Sequence, residues 1–258
     1  MPARLGAHAD RIGEVRDLLT VRGRREQQRF AFEGATLLDE ALRSGVAIES
    51  IYATEASYEA SPAIGALERD GTQIYLVDDR TAAKISDLQT PTGIVAVAPI
   101  VLRPAQDLFE TPGLVLILAD LNDPGNAGTL LRSAEAFGAT AAVFGRFGVD
   151  PHHPKVVRGS MGAAFRLRLC VAEAPAVSAA ARARGALLWG LDASGEPLQH
   201  QHFPERAGLV VGHERRGLGA WGDVCARRLA IQMRGSGESL NAAVAGSIAL
   251  YAASLTTE

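Results

Sequence analysis

At 258 residues, 47% hydrophobic and 21% charged, the chain has the size of one large folded domain or two smaller ones. A net charge of −3 and a pI near 6.1 exclude a globally basic nucleic-acid binder, so an RNA or DNA partner must be met by a local patch. No apolar run reaches the roughly 18 residues of a membrane span. The start, MPARLGAHADRIGEVRD, has no apolar core for a secretory signal, and Cys170 and Cys225 have no CxxC spacing, so the expected setting is a reducing cytoplasm with neither membrane nor metal as partner.

Residues 1–30 carry seven arginines, and Ile12, Val15, Leu18 and Leu19 recur at helical spacing, which predicts one helix with a basic outer face. Strand patterns then fall at 29–33, 50–53, 73–77 and 93–98, with helical patterns at 35–44, 62–69 and 79–86. Strands alternating with helices imply a layered α/β unit. Residues 99–112 hold prolines and few packing residues and read as a linker. That divides the chain into a first domain at 1–104 and a larger second one at 113–258.

The second half restarts with GLVLILAD at 113–120, a strand of the buried parallel type. A loop follows to 128, then a helix at 129–137, strands at 140–144, 167–171, 186–191, 208–211 and 229–233, and helices at 176–184 and 240–254. Four loops (122–128, 145–162, 212–219 and 234–241) follow strands and hold Gly, Asn, Glu or Arg. Ligands of open α/β sheets bind beyond such strand ends. In the last loop Gly235 and Gly237 permit close backbone approach, and Ser239 or Asn241 can cap the final helix.

Several chemistries are disfavoured by the spacing. The loop at 122–128 lacks GxGxxG, which weakens a nicotinamide-dependent oxidoreductase, and no GxxxxGK[ST] occurs. His213-Glu214 is not followed by the second histidine of HExxH, and Gly159-Ser160-Met161-Gly162 is not GxSxG. His200 and His202 sit in a polar stretch without a nearby cysteine or acid pair and read as a solvated loop. Arg132 stands out. It shares a helix face with Gly128, and a cation early in a helix gains nothing from the macrodipole. It either forms a salt bridge with Glu135 or Glu214, or points at a phosphate or a reacting hydroxyl.

Three segments carry a resemblance. Asn122-Asp-Pro-Gly-Asn126-Ala-Gly128-Thr-Leu-Leu-Arg132, Gly212-His-Glu214-Arg-Arg-Gly217 and Ile231-Gln-Met233-Arg-Gly235-Ser-Gly-Glu-Ser239-Leu240-Asn241 resemble, in order and spacing, the three motifs of SpoU/TrmH-type RNA 2′-O-ribose methyltransferases of the SPOUT superfamily. The first half resembles that family's substrate-binding domain through Arg29–Gly34 and Thr90–Val97. Gln232 stands where the third motif usually has proline.

The resemblance implies a C-terminal α/β domain with a parallel sheet and a deep trefoil knot, a smaller N-terminal α/β domain, and a homodimer with the active site near its interface. It implies S-adenosylmethionine bound near Gly212, Ile231, Met233 and Leu240. It places Arg132 at the ribose hydroxyl and its phosphate, oriented by Asn126, Glu214, Ser239 and Asn241. An arginine stays protonated, so clamping phosphate and stabilising developing alkoxide suits it better than removing a proton. Ribosomal RNA is preferred over transfer RNA as substrate. Arg146, Lys155, Arg158, Arg166 and Arg168, with Arg22 and its neighbours, form a candidate phosphate track, so charge reversal at Arg158 and Arg22 is expected to weaken RNA binding. The rival reading is an RNA-binding protein that keeps the fold without transfer.

Overall fold

A computed structural model describes residues 2–235 and 239–255, so Gly237 lies outside the described residues, as does the His200 side chain. In chain order the elements are β1 (Ala3–Arg4), α1 (Asp10–Asp17), α2 (Val21–Gln27), β2 (Arg29–Glu33), α3 (Ala35–Arg43), β3 (Ser50–Ala53), α4 (Glu55–Ala60), α5 (Pro62–Arg69), β4 (Gln73–Leu76), α6 (Asp79–Ile85) and β5 (Ile94–Pro99). Then come β6 (Gly113–Leu118), α7 (Pro124–Ala136), β7 (Ala141–Gly145), α8 (Pro154–Gly159), α9 (Ala163–Arg166), β8 (Arg168–Ala172), α10 (Ala174–Ala183), β9 (Leu187–Pro197), β10 (Arg206–Val211), β11 (Arg227–Ala230) and α11 (Ala242–Ser254).

The chain forms two compact units. The first comprises residues up to Ile100 together with His152–Phe165. Its sheet, β1-β4-β3-β5-β2, is mixed: β1, β4 and β3 run parallel, and β5 runs antiparallel to both β3 and β2. The single helix expected at the start is two. The Thr20 hydroxyl accepts from Gly23 N–H (3.0 Å) and caps α2. The chain turns so tightly that a Cβ on Gly23 would lie 2.1 Å from the Asp17 carbonyl oxygen. Ile12, Val15 and Leu18 are buried as their spacing implies. The expected loop at 145–162 contains α8, whose Val157 joins the core of this unit with Phe30, Phe32 and Ile51.

The second unit comprises Val101–Pro151 and the residues from Arg166 onward. Its six strands, β11-β9-β10-β6-β7-β8, are parallel throughout. The run GLVLILAD forms its centre: Val115, Leu116 and Ile117 are fully buried between layers. The tail of the expected linker is not loose. Ala105–Asp107 makes a 3₁₀ turn, and Leu108 and Phe109 are buried in this unit's core.

Strand order reverses between β6 and β10. The chain leaves β6 for β7 and β8 on one side, then returns to build β9 and β10 on the other. The gap beyond the carboxyl ends of β6 and β10 is thus the natural crevice of this sheet. No helix among the described residues is long and apolar enough to cross a membrane, and none of their His, Cys, Asp and Glu side chains group into a metal site.

Candidate active site

The crevice is bordered by the first helix turn after β6. The Asp123 carboxylate accepts from Asn126 N–H (2.6 Å) and Pro124 occupies the first turn, so α7 begins before the expected residue 129. Asn126 therefore projects from a capped helix start rather than a loop. Arg132 lies two turns into α7, not at its beginning, and the macrodipole argument has no force there.

The loop after β10 forms the opposite border. His213 and Gly217 exchange both backbone hydrogen bonds (2.9 Å each). Gly217 has φ +58°, and a Cβ on Gly212 would lie 2.5 Å from the Gly217 backbone. The closed turn fixes where Glu214 leaves it. Glu214 Oε1 accepts from Asn126 Nδ2 (2.8 Å), and Asn126 Oδ1 accepts from Asn241 Nδ2 (3.1 Å). Asn241 Oδ1 in turn accepts from the amides of Ala243 (2.8 Å) and Val244 (3.2 Å), capping α11. One chain of hydrogen bonds thus joins all three sequence motifs. Of the two expected caps of α11, Asn241 is the one that serves.

Beside this chain lies an apolar cavity of about 190 Å³. Its walls include Val211, Gly212, Leu229, Ile231, Met233 and Leu240, with Ser239 and Asp192 as polar members. Ile231 and Met233 reach it because β11 stops at Ala230, short of the expected 233. The register shifts against β9 between Arg228 and Leu229, pairing resumes at Leu229–Glu196 and Ala230–Pro197, and Gly195 lets the two backbones pass where a Cβ would meet Arg228 at 2.5 Å. Hydrogen bonds from the Ser194 hydroxyl and amide hold the Asp192 carboxyl below its ordinary pKa, so it faces the cavity as an anion. A shallow polar hollow lined by Asn122, Asp123, Asn126, Arg215 and Asn241 adjoins it, and His213 and Glu214 line both.

The structure thus brings together Asn126, Glu214 and Asn241 in one network, and Gly212, Ile231, Met233, Leu240 and Ser239 in one cavity. Arg132 lines neither space. At 100° per residue it stands roughly 120° around α7 from Asn126. It is exposed and forms no ion pair among the described residues: Glu135 binds Arg166, and Glu214 binds Asn126. Neither expected salt bridge exists. Asp192 and His213 were not singled out from sequence. Asp192 lies inside a strand longer than expected, and His213 stands in the second motif, where only Gly212 and Glu214 are read as site residues.

The chain matches the model of the SpoU rRNA Methylase family over residues 113–251. It belongs to that family. Residues 9–96 match the MRM3-like substrate binding domain. Among relatives, this SpoU-family chain is 28% identical to 23S rRNA (guanosine(2553)-2′-O)-methyltransferase RlmP of Bacillus subtilis, with 95% of this chain and 96% of that one aligned. It is 35% identical to 23S rRNA (uridine(2479)-2′-O)-methyltransferase of Streptomyces viridochromogenes over 64% of this chain and 61% of that one. Among solved structures, the SpoU methyltransferase AviRb of Streptomyces viridochromogenes, in complex with the cofactor AdoMet, superposes with a TM-score of 0.85 at 26% identity, covering 96% of this chain and 98% of that one.

The candidate RNA-binding residues of this SpoU-family chain mostly have partners. Arg22 pairs with Glu26 (2.7 Å), Arg146 with Glu173 (2.9 Å), and Arg158 donates to both oxygens of Asp87 (2.8 and 2.9 Å). Lys155 is exposed, with no carboxylate partner among the described residues.

Proposed function

We propose that this protein transfers a methyl group from S-adenosylmethionine to a ribose 2′-hydroxyl of ribosomal RNA. The observation that carries this reading is the hydrogen-bonded chain Glu214–Asn126–Asn241 standing beside an apolar cavity at the switch point of a parallel sheet. The activities of its relatives agree with it.

The cavity fits the cofactor's chemistry. Val211, Leu229, Ile231 and Leu240 offer apolar walls for a purine and a thioether chain, and Met233 and Leu240 leave apolar surface exposed at its mouth (41% and 38%) that a ligand would cover. The Asp192 carboxylate supplies an acceptor for hydroxyls or an ammonium. When bound, the cofactor offers a sulfonium methyl to an incoming oxygen in line with the breaking bond.

The protein's part is orientation. Asn126 is fixed at both amide atoms, by Glu214 and Asn241, so its position relative to the cavity is set before substrate arrives. Holding two reactants in attack geometry accounts for a large part of such a barrier. Arg132 binds the phosphate beside the target ribose and stabilises negative charge growing on its oxygen. It does so from a second copy of the chain. On α11 and its C-cap, Val244, Ile248, Tyr251 and Leu255 form an exposed apolar stripe at helical spacing (48%, 40%, 52% and 67%), flanked by Phe137, whose ring lies 5.4 Å from that of Tyr251. A homodimer that covers this stripe brings the exposed α7 face with Arg132 to the partner's cavity. The trefoil knot in the C-terminal domain, the cytoplasmic setting and the preference for ribosomal over transfer RNA belong to the same proposal.

The test is transfer of tritiated methyl from S-adenosylmethionine to unmodified large- and small-subunit ribosomal RNA made by transcription, with transfer RNA as the comparison. Incorporation into a ribosomal RNA supports the reading. Donor binding by calorimetry without incorporation into any RNA supports the RNA-binding protein instead.

A further inference from the structure

The His213 side chain is 15% exposed and lines both the cavity and the polar hollow. Its Nδ1 accepts from Arg215 N–H (3.0 Å), two residues on, in the manner of an Asx-turn. Backbone N–H groups only donate, so Nδ1 carries no proton in this arrangement, and a neutral ring then holds its proton on Nε2. Nε2 lies 3.1 Å from the Asn122 side-chain amide. Two donors do not bond each other, so the amide presents its oxygen to the ring; which amide atom faces a neighbour is an assignment made from the network. His213 thereby ties the loop after β6 to the loop after β10, parallel to the tie made by Glu214 and Asn126.

The two ties share Glu214. Its Oε1 holds Asn126, while Oε2 lies 3.8 Å from His213 Nδ1. A second proton on the ring would occupy Nδ1, displace the Arg215 amide and turn a lone pair facing a donor into a cation facing a carboxylate. The charged groups around the ring are Glu214 and Arg215 on its own loop, Asp123 on the loop after β6, and Asp192 from β9 across the cavity. Asn122 and, from the start of α11, Asn241 are neutral.

We infer that His213 is a positioning residue whose neutral Nε2–H imidazole keeps Glu214 on Asn126, and whose protonation draws Glu214 away and disorganises the ribose site. The inference rests on the methyl-transfer reading for its kinetic arm only. Activity should therefore fall when acid adds a second proton to the ring.

The experiment has two arms on the full-length protein. In the first, nitrogen-15 spectra of histidine-labelled protein at pH 8, with the signal assigned through His213→Asn, report the ring tautomer. The Nε2–H form is expected, and the Nδ1–H form overturns the inference whether or not the protein methylates RNA. In the second, kcat and KM are followed from pH 5.5 to 8.5 with transcribed ribosomal RNA. Wild type should lose about tenfold in kcat between the alkaline and acid ends of this range. His213→Ala should lose on the order of tenfold in kcat at pH 8, with the dissociation constant for S-adenosylmethionine unchanged. His213→Asn retains an oxygen for the Arg215 amide, so it should recover most of that loss and show no acid limb. An acid limb of equal depth in wild type and His213→Asn overturns the inference.

Discussion

Two sets of arginines in this protein differ in a way their sequence density does not predict. In the stretch at 146–168, the most basic part of the chain after the first thirty residues, Arg146, Arg158 and Arg166 each bind a carboxylate, and Arg168 donates to two carbonyls and to Thr111. Around the motif loops Arg132, Arg215, Arg216 and Arg234 are exposed and have no carboxylate partner among the described residues. A guanidinium bonded to an acid is locally neutral and gives up that bond to reach a phosphate. An unpaired one is available at once. Within these two sets, the arginines that can meet RNA without rearrangement are those of α7 and the motif loops, and in the stretch at 146–168 Lys155 is the cation without a carboxylate partner among the described residues.

The sharpest way to break this comparison is Arg132→Ala. Loss of a charge-stabilising donor should lower kcat by roughly a thousandfold while calorimetry finds S-adenosylmethionine bound as in wild type. Methyl incorporation at the wild-type rate would remove Arg132 from the mechanism. Next in size is Asn126→Ala, which leaves Glu214 and Asn241 without their shared partner. A fall in kcat of about ten- to a hundredfold is expected, since misplacement alone costs that much. Tyr251→Asp tests how Arg132 reaches its target. A carboxylate on the α11 stripe should convert a dimer to monomer in sedimentation and abolish transfer, with donor affinity little changed. A monomeric variant with full activity would place Arg132 within its own subunit's site.

Smaller effects are expected at the paired arginines. Arg22→Glu should change RNA affinity by less than about threefold, because the Arg22 guanidinium is already engaged by Glu26. A large loss there, with a shallower salt dependence, would return the phosphate track to the sequence-dense arginines. The thiols should be nearly silent. Burial pushes Cys170 and Cys225 up to about 11, so alkylation of the folded protein at pH 8 should run on the order of a hundredfold slower than for a free thiol.

Most of the architecture was readable because its signals are local. The alternating pattern RFAFE and the apolar run GLVLILAD are strands as expected. The caps made by Thr20 and Asp123 leave no periodic signal, which is why the spacing predicts one helix where there are two and starts α7 five residues after its observed first residue. The early end of β11 and the burial of Leu108 and Phe109 depend on partners distant in sequence, which periodicity does not register. At the site, the three motifs named Asn126, Glu214 and Asn241, but only coordinates join them by hydrogen bonds. Asp192 has no motif to point to it, and His213 stands inside the second motif, where only Gly212 and Glu214 are read as site residues. Arg132 was named for its type and place, and its position away from the cavity became visible only with the helix start corrected.

The central claim is that the motif loops assemble a site for ribose methylation. Alkaline hydrolysis of RNA labelled by this protein with tritiated S-adenosylmethionine tests it most directly, because cleavage needs a free 2′-hydroxyl. Ribose methylation leaves the label in an alkali-resistant dinucleotide. Label recovered in single nucleotides would mean that a base was methylated, and the account would be wrong.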